Sequence, residues 1–209
     1  MEFLGTQMLT WHDFVVELHT GVVVFVVLAI ALRVLVDLGQ RGRGTASARV
    51  EEVRQGTDFV AYAGSVLAVI FLIISGITGY LLLPYSTLVG QPIYLKKEFT
   101  ALAALFFWIA FAFMRYWSGP TMWQKKGLSA LAVFTALFGL LFTTLAGSIG
   151  ADLSIGQSVL TPVYNALSID FKQLTLQQID VEITAALLVV AIIVVAFLKP
   201  SRKSETGPG

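Results

Sequence analysis

Two histidines, His12 and His19, and three glutamates, Glu17, Glu98 and Glu182, are the residues of this chain best suited to proton, metal or cofactor chemistry. On a helix the two histidines fall about 10 Å apart on one face, two turns from each other. Imidazole nitrogens ligate haem iron, copper and zinc. Two histidines on one face cannot approach a single iron from opposite sides. A b-type haem here therefore needs its second ligand from a partner, from a symmetry mate, or from a methionine such as Met8, Met114 or Met122. A copper or zinc cage built from His12, Asp13, Glu17 and His19 is opposed by geometry, because Asp13 and Glu17 point about 100–140° around the helix from His12. The histidines are also suited to a simpler role as polar caps at the membrane interface.

The glutamates form a second set. Each stands near the expected start of an apolar run, where a helix macrodipole favours negative charge and water is within reach. The alternative is an acidic cluster on one membrane face for a cation, a proton or a basic partner. No other catalytic pattern is present: there is no cysteine nucleophile, no G-x-S-x-G and no phosphate-binding glycine loop. The absence of cysteine also excludes disulfides, thiolate metal sites, iron–sulfur clusters and covalently attached c-type haem.

The elements that position these residues are membrane helices. The chain is 56% hydrophobic and only 13% charged, with a mean hydropathy of +0.80, whereas soluble domains average about 25% charged. The expected fold is all-α, a polytopic transmembrane bundle with five spans near 14–36, 60–83, 99–117, 128–149 and 181–198. The first ten residues carry Glu2 and no basic residue, so the first apolar run reads as a permanent span and not as a signal peptide. Arg41, Arg43, Arg49, Arg54, Arg115, Lys125, Lys126, Lys199, Arg202 and Lys203 fall on one side if five spans alternate. The positive-inside rule then gives a cell-membrane protein with its N-terminus outside and its C-terminus cytoplasmic. A formal net charge of +1, with its basic residues at helix ends, gives no case for nucleic-acid binding.

The membrane-embedded part reads as a parallel two-helix repeat. Ser75-Gly76-Ile77-Thr78-Gly79, Val89 to Tyr94 and Glu98-Phe99-Thr100-Ala101 recur as Ala146-Gly147-Ser148-Ile149-Gly150, Val159 to Tyr164 and Glu182-Ile183-Thr184-Ala185. The glycine and proline landmarks keep their offset to within one residue, so the extra residues of the second copy lie between Tyr164 and Glu182. One membrane domain then covers 1–209: the first span and its loop in 1–58, copy one in 59–120, copy two in 127–199 and a tail in 200–209. The first span lies outside the repeat and carries both histidines. Stripes of small residues predict that the second and fourth spans pair in parallel. These are Ala61, Ser65, Ala68, Ser75 and Gly79 in the second span, and Ala132, Ala136, Gly139, Thr143, Gly147 and Gly150 in the fourth. Pro92 and Pro162 are expected to end or bend helices and fold the outer loops back.

The helix count and glycine-rich helix ends resemble small membrane b-type cytochromes with four-helix cores. Paired histidines on the core helices are lacking, so the resemblance covers architecture only. The leading functional expectation is a non-catalytic integral subunit of a larger membrane complex, respiratory or otherwise redox. Its partners would be the lipid bilayer and other membrane subunits or copies of itself. The alternatives are a haem b- or quinone-associated electron carrier using His12 or His19, and a small channel or carrier.

Overall fold

The computed structural model describes residues 2–40, 46–82 and 90–155, with Pro162 and Ala166. Over these residues the chain is helical apart from short breaks at 40, 46–47, 91 and 125. Helix α1 spans Glu2–Gly39, α2 Ala48–Leu82, α3 Pro92–Ser118 and α4 Lys126–Ile155, with a short 3₁₀ segment, Gly119–Gln124, between the last two. Each contains a segment long and apolar enough to cross a membrane: Leu9–Gly39, Ala48–Leu82, Pro92–Gln124 and Lys126–Ala151. The protein is a multi-pass helical membrane protein. The fifth expected span, 181–198, lies outside the described residues, and with it the comparison of the two repeat copies.

The helix ends follow local chemistry. Ser47 opens α2 by accepting the Val50 N–H on its Oγ, and Glu51 supplies a negative charge in the first turn. The break expected at Gly90-Gln91-Pro92 falls at Gln91, after helical Gly90, and Pro92 begins the helix that follows. It sits at the first position of α3, after Gln91 in an extended conformation, where its missing N–H has no partner to lose. Gly119 closes α3 with a φ of 60°, in the left-handed region glycine enters freely, and its N–H is held by the Arg115 carbonyl.

The helices form a ring in chain order. Contacts join α1 to α2, α2 to α3, α3 to α4, and α4 back to α1. On α1 the inward stripe is Val15, His19, Val23, Val26, Ile30 and Arg33, at spacings of three and four, apolar in the middle and polar towards both ends. Ala61, Ser65, Ala68 and Leu72 of α2, Ala104, Trp108 and Phe111 of α3, and Ala132 and Ala136 of α4 complete the core. Large apolar side chains such as Phe25, Leu28, Ile77, Leu81 and Leu137 lie exposed around the outside, as a bilayer allows.

The small-residue stripes serve neighbours other than the expected ones. The second and fourth helices stand across the ring and do not pair. Gly64 of α2 lies under Val26 of α1, where a Cβ would come within 2.5 Å of the valine Cγ2. Gly139 of α4 lies under the Trp108 indole of α3, with a Cβ 2.9 Å from Cε2. Small residues receive whichever large side chain faces them, and in an up-and-down ring that comes from the preceding helix. An aromatic seam also joins α3 to α4, with Phe107 of α3 stacked on Phe142 of α4 at 5.7 Å and 5.4 Å from Phe138.

Candidate functional site

The ring brings polar residues together at both ends. At the end where α1 meets the last turns of α2, His12 Nδ1 stands 2.9 Å from Thr78 Oγ1. The Thr78 hydroxyl donates to the carbonyl of Ile74 at 3.0 Å or Ser75 at 3.1 Å. Its oxygen therefore accepts, and His12 donates from Nδ1. His19 is buried and its Nδ1 faces the Val15 carbonyl at 3.3 Å, which can only accept. Both neutral imidazoles are thereby held as Nδ1–H tautomers, leaving each Nε2 with its lone pair. The expected shared face of His12 and His19 is the inward face of α1.

Glu98 comes from α3 into the same end. The Tyr80 hydroxyl of α2 reaches its carboxyl, and Lys97 lies close enough to act on it electrostatically. One carboxylate oxygen, Oε1, is buried with no hydrogen-bond partner among the described residues. Lys97 lies over Gly150 of α4, where a Cβ would be 3.5 Å from the lysine Cε, and its charge is felt by both His12 and Asp13. Lys96 and Thr100 are buried on the same helix. Deeper in, Trp108 Nε1 donates to Thr143 Oγ1 at 3.2 Å. This end can accept protons, donate hydrogen bonds and offer imidazole nitrogens.

The glutamate set divides. Glu98 joins the cluster, whereas Glu17 is exposed on the outer side of α1, and Glu182 lies outside the described residues. Neither Glu17 nor Glu98 starts a helix, because α1 begins at Glu2 and α3 at Pro92. The macrodipole, confined to the first turn, does not account for Glu17. Among the described residues no three of His, Cys, Asp and Glu gather closely enough to hold a metal ion.

The opposite end carries a charged network that sequence reasoning passed over. Arg115 of α3 donates to Asp58 of α2 from Nε at 2.8 Å and from a terminal nitrogen at 2.5 Å. Trp123 of the 3₁₀ segment donates from Nε1 to Asp58 Oδ1 at 2.6 Å. The Arg33 guanidinium of α1 lies 5.5 Å from the Trp123 ring centroid. Arg33 also donates to Asp37 at 2.8 Å and to the Arg54 carbonyl at 2.9 Å, and Arg54 reaches Asp37 at 2.7 Å. Three helices and the connecting segment are tied by one satisfied set of charges. The Arg33–Asp37 pair, four residues apart, was readable as a helical ion pair. Asp58 was not, because the charged residues before it read as loop.

Comparison with protein-family models, with curated proteins and with solved structures finds no match to this chain. The geometry of the two ends therefore carries the functional argument.

Proposed function

We propose that this chain is a non-catalytic integral subunit of a larger membrane assembly, with the histidine end of the bundle facing the partner. One observation carries the proposal: the buried Oε1 of Glu98, which has no hydrogen-bond partner among the described residues. Leaving such a group without a donor costs about 1–3 kcal/mol, and more for a charged group. Native structures rarely leave one without a reason. A partner that supplies an N–H or O–H at this point completes the site. The middle of the bundle supports the same reading. Ala104, Trp108, Phe111 and Ala132 are fully buried there, and the buried hydroxyls of Ser65, Thr135 and Thr143 donate to carbonyls of their own helices, which among the described residues argues against a polar path for a small channel or carrier. The excess of basic residues near Arg33, Arg54 and Arg115 supports an orientation in the cell membrane with that end on the cytoplasmic side and the histidine end outside.

The test is purification from native membranes in mild detergent. Distinct membrane proteins in fixed ratio to this chain support the proposal. A chain recovered alone from membranes extracted under crosslinking removes it.

A second reading is favoured by the tautomers. Ligating histidines usually give their other N–H to a carbonyl or similar acceptor, which is how His19 is held against Val15. A haem b carried between this chain and a partner would take Nε2 of His12 or His19 as one axial ligand and make the assembly a redox one. A visible absorption spectrum of the intact assembly decides it, because a haem protein shows a Soret band and its absence removes the reading.

A further inference from the structure

Between α2 and α3, on the outside of the ring, a groove of about 290 Å³ is lined by Tyr62, Val66, Ile70, Ile109, Ala112 and Tyr116 among others. Val66 and Ile70 are exposed, so the groove opens to the lipid side. From Tyr62 to Ile70 it runs about 12 Å along α2 at 1.5 Å per residue, close to the depth of one leaflet of a hydrocarbon core about 30 Å thick. Its two ends differ. The far end is aliphatic, while the near end carries the two tyrosines, with the Arg115 guanidinium 5.4 Å from the Tyr62 ring centroid. Tyrosines at this depth mark the level of the headgroups.

We infer that this groove binds one acyl chain of an anionic phospholipid, whose headgroup rests at Tyr62, Tyr116 and Arg115. Charge decides the headgroup. Asp58 takes two of the five Arg115 N–H donors, and the remaining three suit phosphate oxygens. Among the described residues this end holds Arg33, Arg49, Arg54, Arg115, Lys125 and Lys126 against Asp37, Glu51, Glu52 and Asp58, a surplus of positive charge. Basic residues beside a cleft between membrane helices attract anionic headgroups at about 1 kcal/mol per residue, or roughly fivefold in affinity. A zwitterionic lipid fills the groove equally well but gains nothing from the surplus.

The full chain is purified in mild detergent, stripped of lipid by exchange, and offered phosphatidylglycerol or phosphatidylcholine of identical acyl chains. Native mass spectrometry reads the lipid retained. Phosphatidylglycerol is expected to be retained about fivefold more than phosphatidylcholine. Ala112→Phe, which fills the groove, is expected to abolish that preference, while Leu137→Phe on the exposed face of α4 keeps it. Equal retention of the two lipids, or a preference that survives Ala112→Phe, overturns the inference. The cysteine-free chain gives a second readout that leaves the groove open. Val66→Cys carries a single fluorophore, which brominated phosphatidylglycerol should quench more strongly than brominated phosphatidylcholine. Equal quenching, or crosslinking of that position to a protein in native membranes, overturns the inference too.

Discussion

Arg115 grips Asp58 across the α2–α3 interface through two parallel hydrogen bonds, and the Trp123 indole adds a third. The Arg115 and Asp58 side chains are 15% and 6% exposed, so removing one partner strands a buried charge. Asp58→Asn is expected to destabilise the bundle by about 3–5 kcal/mol. Thermal unfolding in detergent reads this. The double replacement Asp58→Leu with Arg115→Met should cost less than Asp58→Leu alone, because it leaves no unpaired charge.

Why Asp58 was hidden in the sequence follows from where hydropathy begins. The apolar run starts near Phe59, so the preceding residues read as loop. In the fold α2 begins eleven residues earlier, at Ala48, with Ser47 capping it and Glu51 paired to Arg54 one turn on. A charged first segment that forms its own ion pairs is helical without being apolar. The histidine face of α1 was legible because spacing alone fixes it. The contacts of Glu98 with α2 were not, because they depend on which helices become neighbours, and a stripe of small residues does not name its partner.

The glycine contacts separate packing from composition. In Gly139→Ala the new methyl meets the Trp108 ring, which is pinned by its bond to Thr143. A loss of about 1–3 kcal/mol is expected. In Gly147→Ala nothing among the described residues stands within 4 Å of the new Cβ. Helix propensity then favours alanine by up to about 1 kcal/mol, so stability holds or rises. Melting temperatures of the two variants should therefore move in opposite directions or differ clearly in size.

His12 and Thr78 tie the first helix to the second. Thr78→Val keeps the side-chain shape and removes the acceptor of the Nδ1–H. About 1 kcal/mol should be lost. Nitrogen-15 NMR of the labelled imidazole should show the Nδ1–H tautomer in the native chain and a changed tautomer balance in Thr78→Val. An Nε2–H tautomer in the native chain would contradict the assignment.

Glu98 is expected to behave differently in isolation and in its assembly. Glu98→Gln replaces a charge by a neutral amide, so the isolated chain should be no less stable than the native one. The same change should weaken capture of partner proteins from membranes. A destabilised isolated chain would mean that the carboxylate is already satisfied within the bundle.

If the histidine end is completed by another protein, site-specific crosslinking there will capture that protein. A photoreactive amino acid at position 13, exposed beside His12, should capture a distinct membrane protein in native membranes. The same probe at Leu137, on the lipid-facing side of α4, should capture none. Crosslinks to lipid alone at position 13, in membranes where the chain is abundant and folded, would contradict the account.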